Sequence, residues 1–114
     1  MGFEKAEASV RELLGLLSKN GALTAESEAL CRNRAEEHRR QGEGYDLAGK
    51  PGKAEESYLQ ALKLYDRLSR RTGKSCYGAT AGEISMALAE LCMEQGNMHG
   101  ADRYYVQALT YRQG

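Results

Sequence analysis

The sequence has no tryptophan, one phenylalanine and one proline, so its aromatic content rests mainly on seven tyrosines and proline can break helix at only one position. The three cysteines, Cys31, Cys76 and Cys92, are odd in number and widely spaced. They form no C-x-x-C, and no histidine stands at zinc-finger spacing from them. That pattern fits a reducing compartment better than a disulfide framework, and the three read as structural thiols. There is also no excess charge: 16 Lys and Arg balance 16 Asp and Glu, which argues against the basic surplus of nucleic-acid binders. No apolar run approaches the roughly 18 residues of a membrane span, nor the uninterrupted core of a signal peptide. Gly2 stands where myristoylation needs it, but Ala6 replaces the Ser or Thr of that motif. The expectation is a cytoplasmic protein without a membrane or nucleic-acid partner. No segment alternates apolar and polar residues for long enough to form a strand.

What remains is helical periodicity. In a leading helix over 3–20, Phe3, Ala6, Val10, Leu13, Leu14 and Leu17 recur at three- and four-residue steps, with Asn20 and Gly21 as stop signals. Thr24 and Ser27 open a long, polar second helix, about 25–48, whose weakly apolar face carries Leu30, Ala35, His38, Gly42 and Tyr45. Gly49 supplies a left-handed cap, and Pro51 suits the first turn of a third helix. That helix turns Ala54, Tyr58, Ala61, Leu62, Tyr65 and Leu68 inward and ends near Gly73. A fourth, about 79–96, buries Ile84, Leu88, Ala89 and Cys92. A fifth, about 98–112, turns Ala101, Tyr104, Tyr105, Ala108 and Leu109 to one side. The chain, 12.6 kDa, therefore reads as one all-α domain over 1–114, with helix pairs over 25–72 and 78–112.

The helices repeat one another. Ala6, Ala54 and Ala101 are followed four residues on by Val10, Tyr58 and Tyr105. Seven and eight residues on come Leu13-Leu14, Ala61-Leu62 and Ala108-Leu109. The first two alanines lie 48 residues apart and the second two 47. Gly49 and Gly96 each precede their alanine by five residues, and a small residue, Gly42 or Ala89, precedes each glycine by seven. Small residues at close helix crossings, an aromatic knob and a glycine to turn the chain make up a set of packing requirements stated more than once.

On Gly42, Tyr45, Gly49, Ala54, Tyr58 and Ala61, and again on Leu88, Ala89, Gly96, Ala101, Tyr105 and Ala108, the sequence resembles the tetratricopeptide repeat family. The period exceeds that family's usual 34 or so residues, as in its kinesin light-chain type. The characteristic Trp and terminal Pro are absent. The resemblance implies about five antiparallel helices in a right-handed superhelical array. It also implies a non-enzymatic scaffold that holds a protein or peptide, without a cofactor, in a concave groove.

Chemistry-bearing motifs are few. The segment from Gly44 to Pro51 nearly spells a phosphate loop, but it follows helix rather than strand, and Pro51 has neither hydroxyl nor N–H. His38 and His99 are 61 residues apart, no nucleophile–base constellation recurs, and no metal-ligand pair is spaced for binding, so neither a catalytic nor a metal site is expected. Arg32, Arg34, Arg39 and Arg40 have Glu36 and Glu37 at pairing distance along a helix. Arg67, Arg70, Arg71 and Lys74 are less compensated, at a helix end that favours cations.

In the family resembled, the ligand-facing positions would be Glu36, Arg39, Glu43, Asp46 and Leu47 on the second helix and Glu83, Met86, Glu90, Met93 and Glu94 on the fourth. Their acidic balance suits a basic or amphipathic segment, with the two methionines as adaptable apolar contacts. The fifth helix has no following helix to cover it, so Tyr104, Tyr105, Leu109 and Tyr111 are candidates for self-association as a homo-oligomer. Two other readings stay open: a self-associating structural repeat segment, and a three-helix microtubule-interacting-and-trafficking type of module, which also favours a helix like that from Lys53 to Tyr65. Against the latter stands the third copy of the motif.

Overall fold

The computed structural model describes residues 2–18 and 23–113, and every regular element in them is an α-helix. In chain order these are α1 (Gly2–Ser18), α2 (Ala25–Leu47), α3 (Pro51–Thr72), α4 (Ser75–Glu94) and α5 (Met98–Gln113). The stop signals at Asn20 and Gly21, and the side chains of Phe3, Ala6 and Leu17, lie outside the described residues.

Local chemistry accounts for the boundaries. Thr24 caps α2 by accepting the Ser27 N–H on its Oγ1 at 3.0 Å, with Glu26 and Glu28 in the positive first turn. Pro51 occupies the first turn of α3, where its missing N–H costs nothing. Helix α4 begins at Ser75, ahead of the expected 78–79, because Gly73 turns left-handed and Lys74 is already extended, which resets the chain within two residues. It ends at Glu94, two residues before the expected 96.

The corners after α2 and α4 are the same object. Gly49 and Gly96 adopt φ of 74° and 77°. In the first corner the Gly49 N–H donates to the Asp46 carbonyl at 3.1 Å and the Lys50 N–H to that of Tyr45 at 2.9 Å. Forty-seven residues on, Gly96 donates to Met93 at 3.0 Å and Asn97 to Cys92 at 2.7 Å. Each is a Schellman closure, in which a glycine carries the left-handed residue without a Cβ penalty.

Helix α3 is the centre of the molecule, packed on α2, α4 and α1, while α5 lies on α4. The body measures 43 × 37 × 19 Å, about two helices thick. The inward residues expected of α3 and α4 are all buried: Ala54, Tyr58, Ala61, Leu62, Tyr65 and Leu68, and Ile84, Leu88, Ala89 and Cys92. Two expectations need correction. Leu30 is half exposed, and Cys31 takes the buried position instead, because the face of α2 toward α3 is set by Ala35, His38 and Gly42, four residues apart from Cys31 or one another at most. The second concerns α5: its residues at 101, 104, 105, 108 and 109 do not share one environment, for Ala101 and Ala108 are buried, Tyr104 and Tyr105 half-buried, and Leu109 is exposed, as its place among the self-association candidates allows.

The residues of α2 and α4 that face their partners are small, His38 excepted. Cys31, Ala35, His38 and Gly42 correspond, 47 residues on, to Gly78, Gly82, Ser85 and Ala89, all buried. At Gly42 the approach is closest: a Cβ there would lie 2.9 Å from three ring carbons of Tyr58. Gly44, two residues away, has nothing within 4 Å.

Two neighbouring glycines of one helix should therefore respond oppositely to alanine. Gly44→Ala is expected to stabilise by about 0.5–1 kcal/mol through helix propensity. Gly42→Ala is expected to destabilise by about 1–3 kcal/mol, since displacing the Tyr58 ring outweighs the same propensity gain. Thermal or urea unfolding of both variants measures this, and equal effects at the two positions would contradict the close crossing.

Candidate functional site

Helices α2 and α4 flank α3 and leave a cleft between them. It is lined by Arg39 and Glu43 of α2, Tyr58 of α3, and Glu83, Ile84 and Ala87 of α4, with a volume of about 200 Å³. The walls are acidic, and the floor is an aromatic ring with an isoleucine.

On the α2 wall the charges are tied together. Arg39 grips Glu36 with two of its nitrogens, Nε to Oε2 at 3.0 Å and Nη2 to Oε1, and donates from Nη1 to Glu43 Oε1 at 2.7 Å. Tyr65 of α3 adds its hydroxyl, which donates to Glu36 Oε2 at 2.7 Å. These bonds favour the ionised carboxylate. Led by Arg39 and helped by Tyr65, they outweigh burial and lower the Glu36 pKa to about 2. The Tyr65 hydroxyl is pushed well up, first by burial and then by the carboxylate it serves.

The α4 wall is different. Glu83 is its one acid at the cleft; Glu90 and Glu94, like Asp46 on α2, lie outside the lining, and none of the four makes an ion pair or side-chain hydrogen bond with any described residue. The one cation lining the cleft is thus already neutralised by two carboxylates of its own helix, while the acid opposite is unspent.

The expected groove residues divide accordingly. Arg39, Glu43 and Glu83 are brought together at the cleft. Glu36 lies behind Arg39 with both oxygens engaged, which makes it a support for the wall rather than a contact. Leu47, the last residue of α2, is 90% exposed. Met93 accepts the Tyr105 hydroxyl on Sδ at 3.3 Å and so stands toward α5. Met86 is half-buried, and neither methionine lines the cleft. Sequence periodicity missed the floor: Tyr58 and Ile84 read as core, and Ala87 is not singled out, whereas all three line the cleft, Tyr58 and Ile84 while remaining buried.

Of the four self-association candidates, two point inward. Tyr111 donates its hydroxyl to Asp66 Oδ1 at 2.6 Å, and Tyr104 packs against the core. Tyr105 is half-buried and Leu109 is exposed.

The remaining chemistry-bearing residues serve the fold. Lys74 and the Tyr77 hydroxyl both donate to Glu28 Oε2 at 2.6 Å, joining the start of α4 to α2, and hold that carboxyl below its ordinary pKa. Arg70 pairs with Asp66 at 3.2 Å, so the basic run from Arg67 to Lys74 is partly spent. Arg34 pairs with Glu37 at 3.5 Å and reaches Ser9 of α1 at 2.6 Å. His38, on the weakly apolar face of α2, is 5% exposed, and burial lowers its pKa. Residues 44–47 of the near-phosphate loop are helix. All three cysteines are free thiols, two of them buried. Among the described residues no group of three or more His, Cys, Asp or Glu could hold a metal ion, and no helix is long and apolar enough to cross a membrane.

No family model, no curated protein and no solved structure matches the chain.

The Glu36 network predicts an acid-dependent stability. The carboxyl ionises at a lower pH in the folded chain than in the unfolded one. Its contribution is therefore complete above about pH 4.5 and is lost as the pH falls toward about 2. Glu36→Gln should cost about 1 kcal/mol at pH 7, and the gap between parent and variant should close between pH 4.5 and 2. Urea titrations across that range test it, and a gap independent of pH would contradict it.

Proposed function

We propose that the chain is a non-enzymatic interaction module that receives a basic or amphipathic protein segment in the cleft between α2 and α4. The observation that carries this is the asymmetry of charge around the cleft. Arg39 is satisfied by Glu36 and Glu43, whereas Glu83 at the rim, and Glu90 about two turns further along α4, have no internal partner. A lysine or arginine entering there gains carboxylate contacts without displacing an existing ion pair, and an apolar neighbour can reach the edge of Tyr58, Ile84 and Ala87.

Included in the proposal is a finer architecture, that of tetratricopeptide-like hairpins in a right-handed superhelical array. The 47-residue correspondence of the two corners and of the small-residue faces supports it, and so does the placing of α2 and α4 as the two helices that flank the cleft. A cytoplasmic setting belongs to the same reading.

The test is binding of a labelled helical peptide rich in lysine and leucine, followed by fluorescence anisotropy. The parent should bind with an affinity that falls as salt rises. Glu83→Lys with Glu90→Lys should weaken binding by about tenfold or more and flatten the salt dependence, with helicity unchanged. Glu43 is a poorer choice for reversal, because its loss would also strand Arg39. The same reversals at Glu12 and Glu26, exposed and remote from the cleft, serve as the control and should leave binding within about twofold. Equal binding by both double variants would remove the cleft as the site.

A further inference from the structure

Helix α5 carries an apolar stripe that no described residue covers. Val106 is 62% exposed, Leu109 56% and Met98 56%, with Tyr105 half-buried beside them. Exposed apolar side chains gathered on one short helix mark a contact surface more often than scattered ones do.

The chain's own repeat indicates what kind of element lies on such a face. Stepping back 47 residues, Leu109 corresponds to Leu62, Val106 to Leu59 and Asp102 to Glu55. On α3 these positions meet a helix. Leu62 is 8% exposed, Leu59 packs against the core, and Glu55 accepts a hydrogen bond at 3.2 Å from Gln95 at the end of α4. The same face on α5 therefore has the form that receives a helix.

The charges along the stripe say which helix. Asp102 stands one turn before Tyr105, and Arg112 one turn after Leu109. Both are exposed, and neither makes an ion pair or side-chain hydrogen bond with a described residue. The order acid, aromatic, aliphatic, base is complementary to its own reverse. Laid antiparallel on a second α5, Tyr105 of one copy meets Leu109 of the other, and Asp102 meets Arg112 at both ends. Laid parallel, acid would face acid and base would face base.

We propose that α5 is a self-recognition surface, on which a second copy of this chain packs its own α5 antiparallel through Tyr105, Val106 and Leu109, flanked by two Asp102–Arg112 pairs between the copies. The interface is isologous and closes as a dimer. No residue of α5 lines the α2–α4 cleft, so the interface does not depend on what the cleft binds. A single helix face buries less than a standard-size interface, so the dimer is weak and forms in about the 10–100 µM range.

Sedimentation velocity from about 5 to 500 µM, with the intact chain, tests this. The parent should pass from monomer to dimer as concentration rises. Leu109→Glu and, separately, Val106→Lys should remain monomeric at every concentration, with unchanged circular dichroism because both positions are exposed. Asp102→Arg alone and Arg112→Asp alone should each weaken the dimer about tenfold, since each replaces two attractive pairs by two repulsive ones. The combined swap, Asp102→Arg with Arg112→Asp, should restore it to within about threefold of the parent. A parent that stays monomeric to 500 µM, a species that grows beyond the dimer, or a combined swap no better than its single components would overturn the proposal.

Discussion

A tyrosine ring laid on a residue without a side chain sets the spacing of the first hairpin, and the rest of the arrangement follows from it. Because Gly42 lets Tyr58 come within what would be 2.9 Å of a Cβ, α2 lies close enough to α3 for Cys31, Ala35 and His38 to be buried along the same seam. The close seam leaves α3 with its remaining flanks free for α4 and α1. Helix α4 then packs on α3, and its small residues serve both neighbours, Gly78 lying against Ser69 of α3 and Gly82 against Ala108 and Tyr111 of α5. A larger residue at the crossing would push α2 outward and open the cleft that α2 and α4 now share.

With no tryptophan and one phenylalanine, tyrosine must supply the aromatic core side chains, and each buried hydroxyl then needs a partner. Three of them find a carboxylate on another helix: Tyr65 to Glu36, Tyr77 to Glu28 and Tyr111 to Asp66. These bonds do two things at once. They satisfy a buried donor, and they tie α3 to α2, α4 to α2 and α5 to α3. They also sort the acids of a chain with no net charge into those spent on cohesion and those left on the surface. The acidity of the cleft is this remainder rather than a property of composition.

Much of the fold was legible because it is written in local terms. Helical period, the Thr24 cap, the glycines at 49 and 96, and the inward faces of α3 and α4 are each decided within a few neighbouring residues. The candidate site was legible only in part. Spacing put Arg39, Glu43 and Glu83 on facing sides of two helices, and the cleft does join them. Spacing could not tell that Glu36 would be claimed by Tyr65, 29 residues away, or that Met93 would turn to Tyr105. On α5 the repeat pattern was right about the alanines. It was silent on which tyrosines would be covered, since that depends on Asp66, 45 residues earlier.

The sequence by itself determined an all-helical chain, the places where it turns, and a packing pattern stated again at a constant interval, because periodicity, capping and residue size act over one or two helical turns. Only the tertiary structure decided which carboxylates are free, which rings form a floor and which face of α5 stays open. Those outcomes depend on pairs that lie 29 to 49 residues apart and meet only when α3 has been enclosed from several sides.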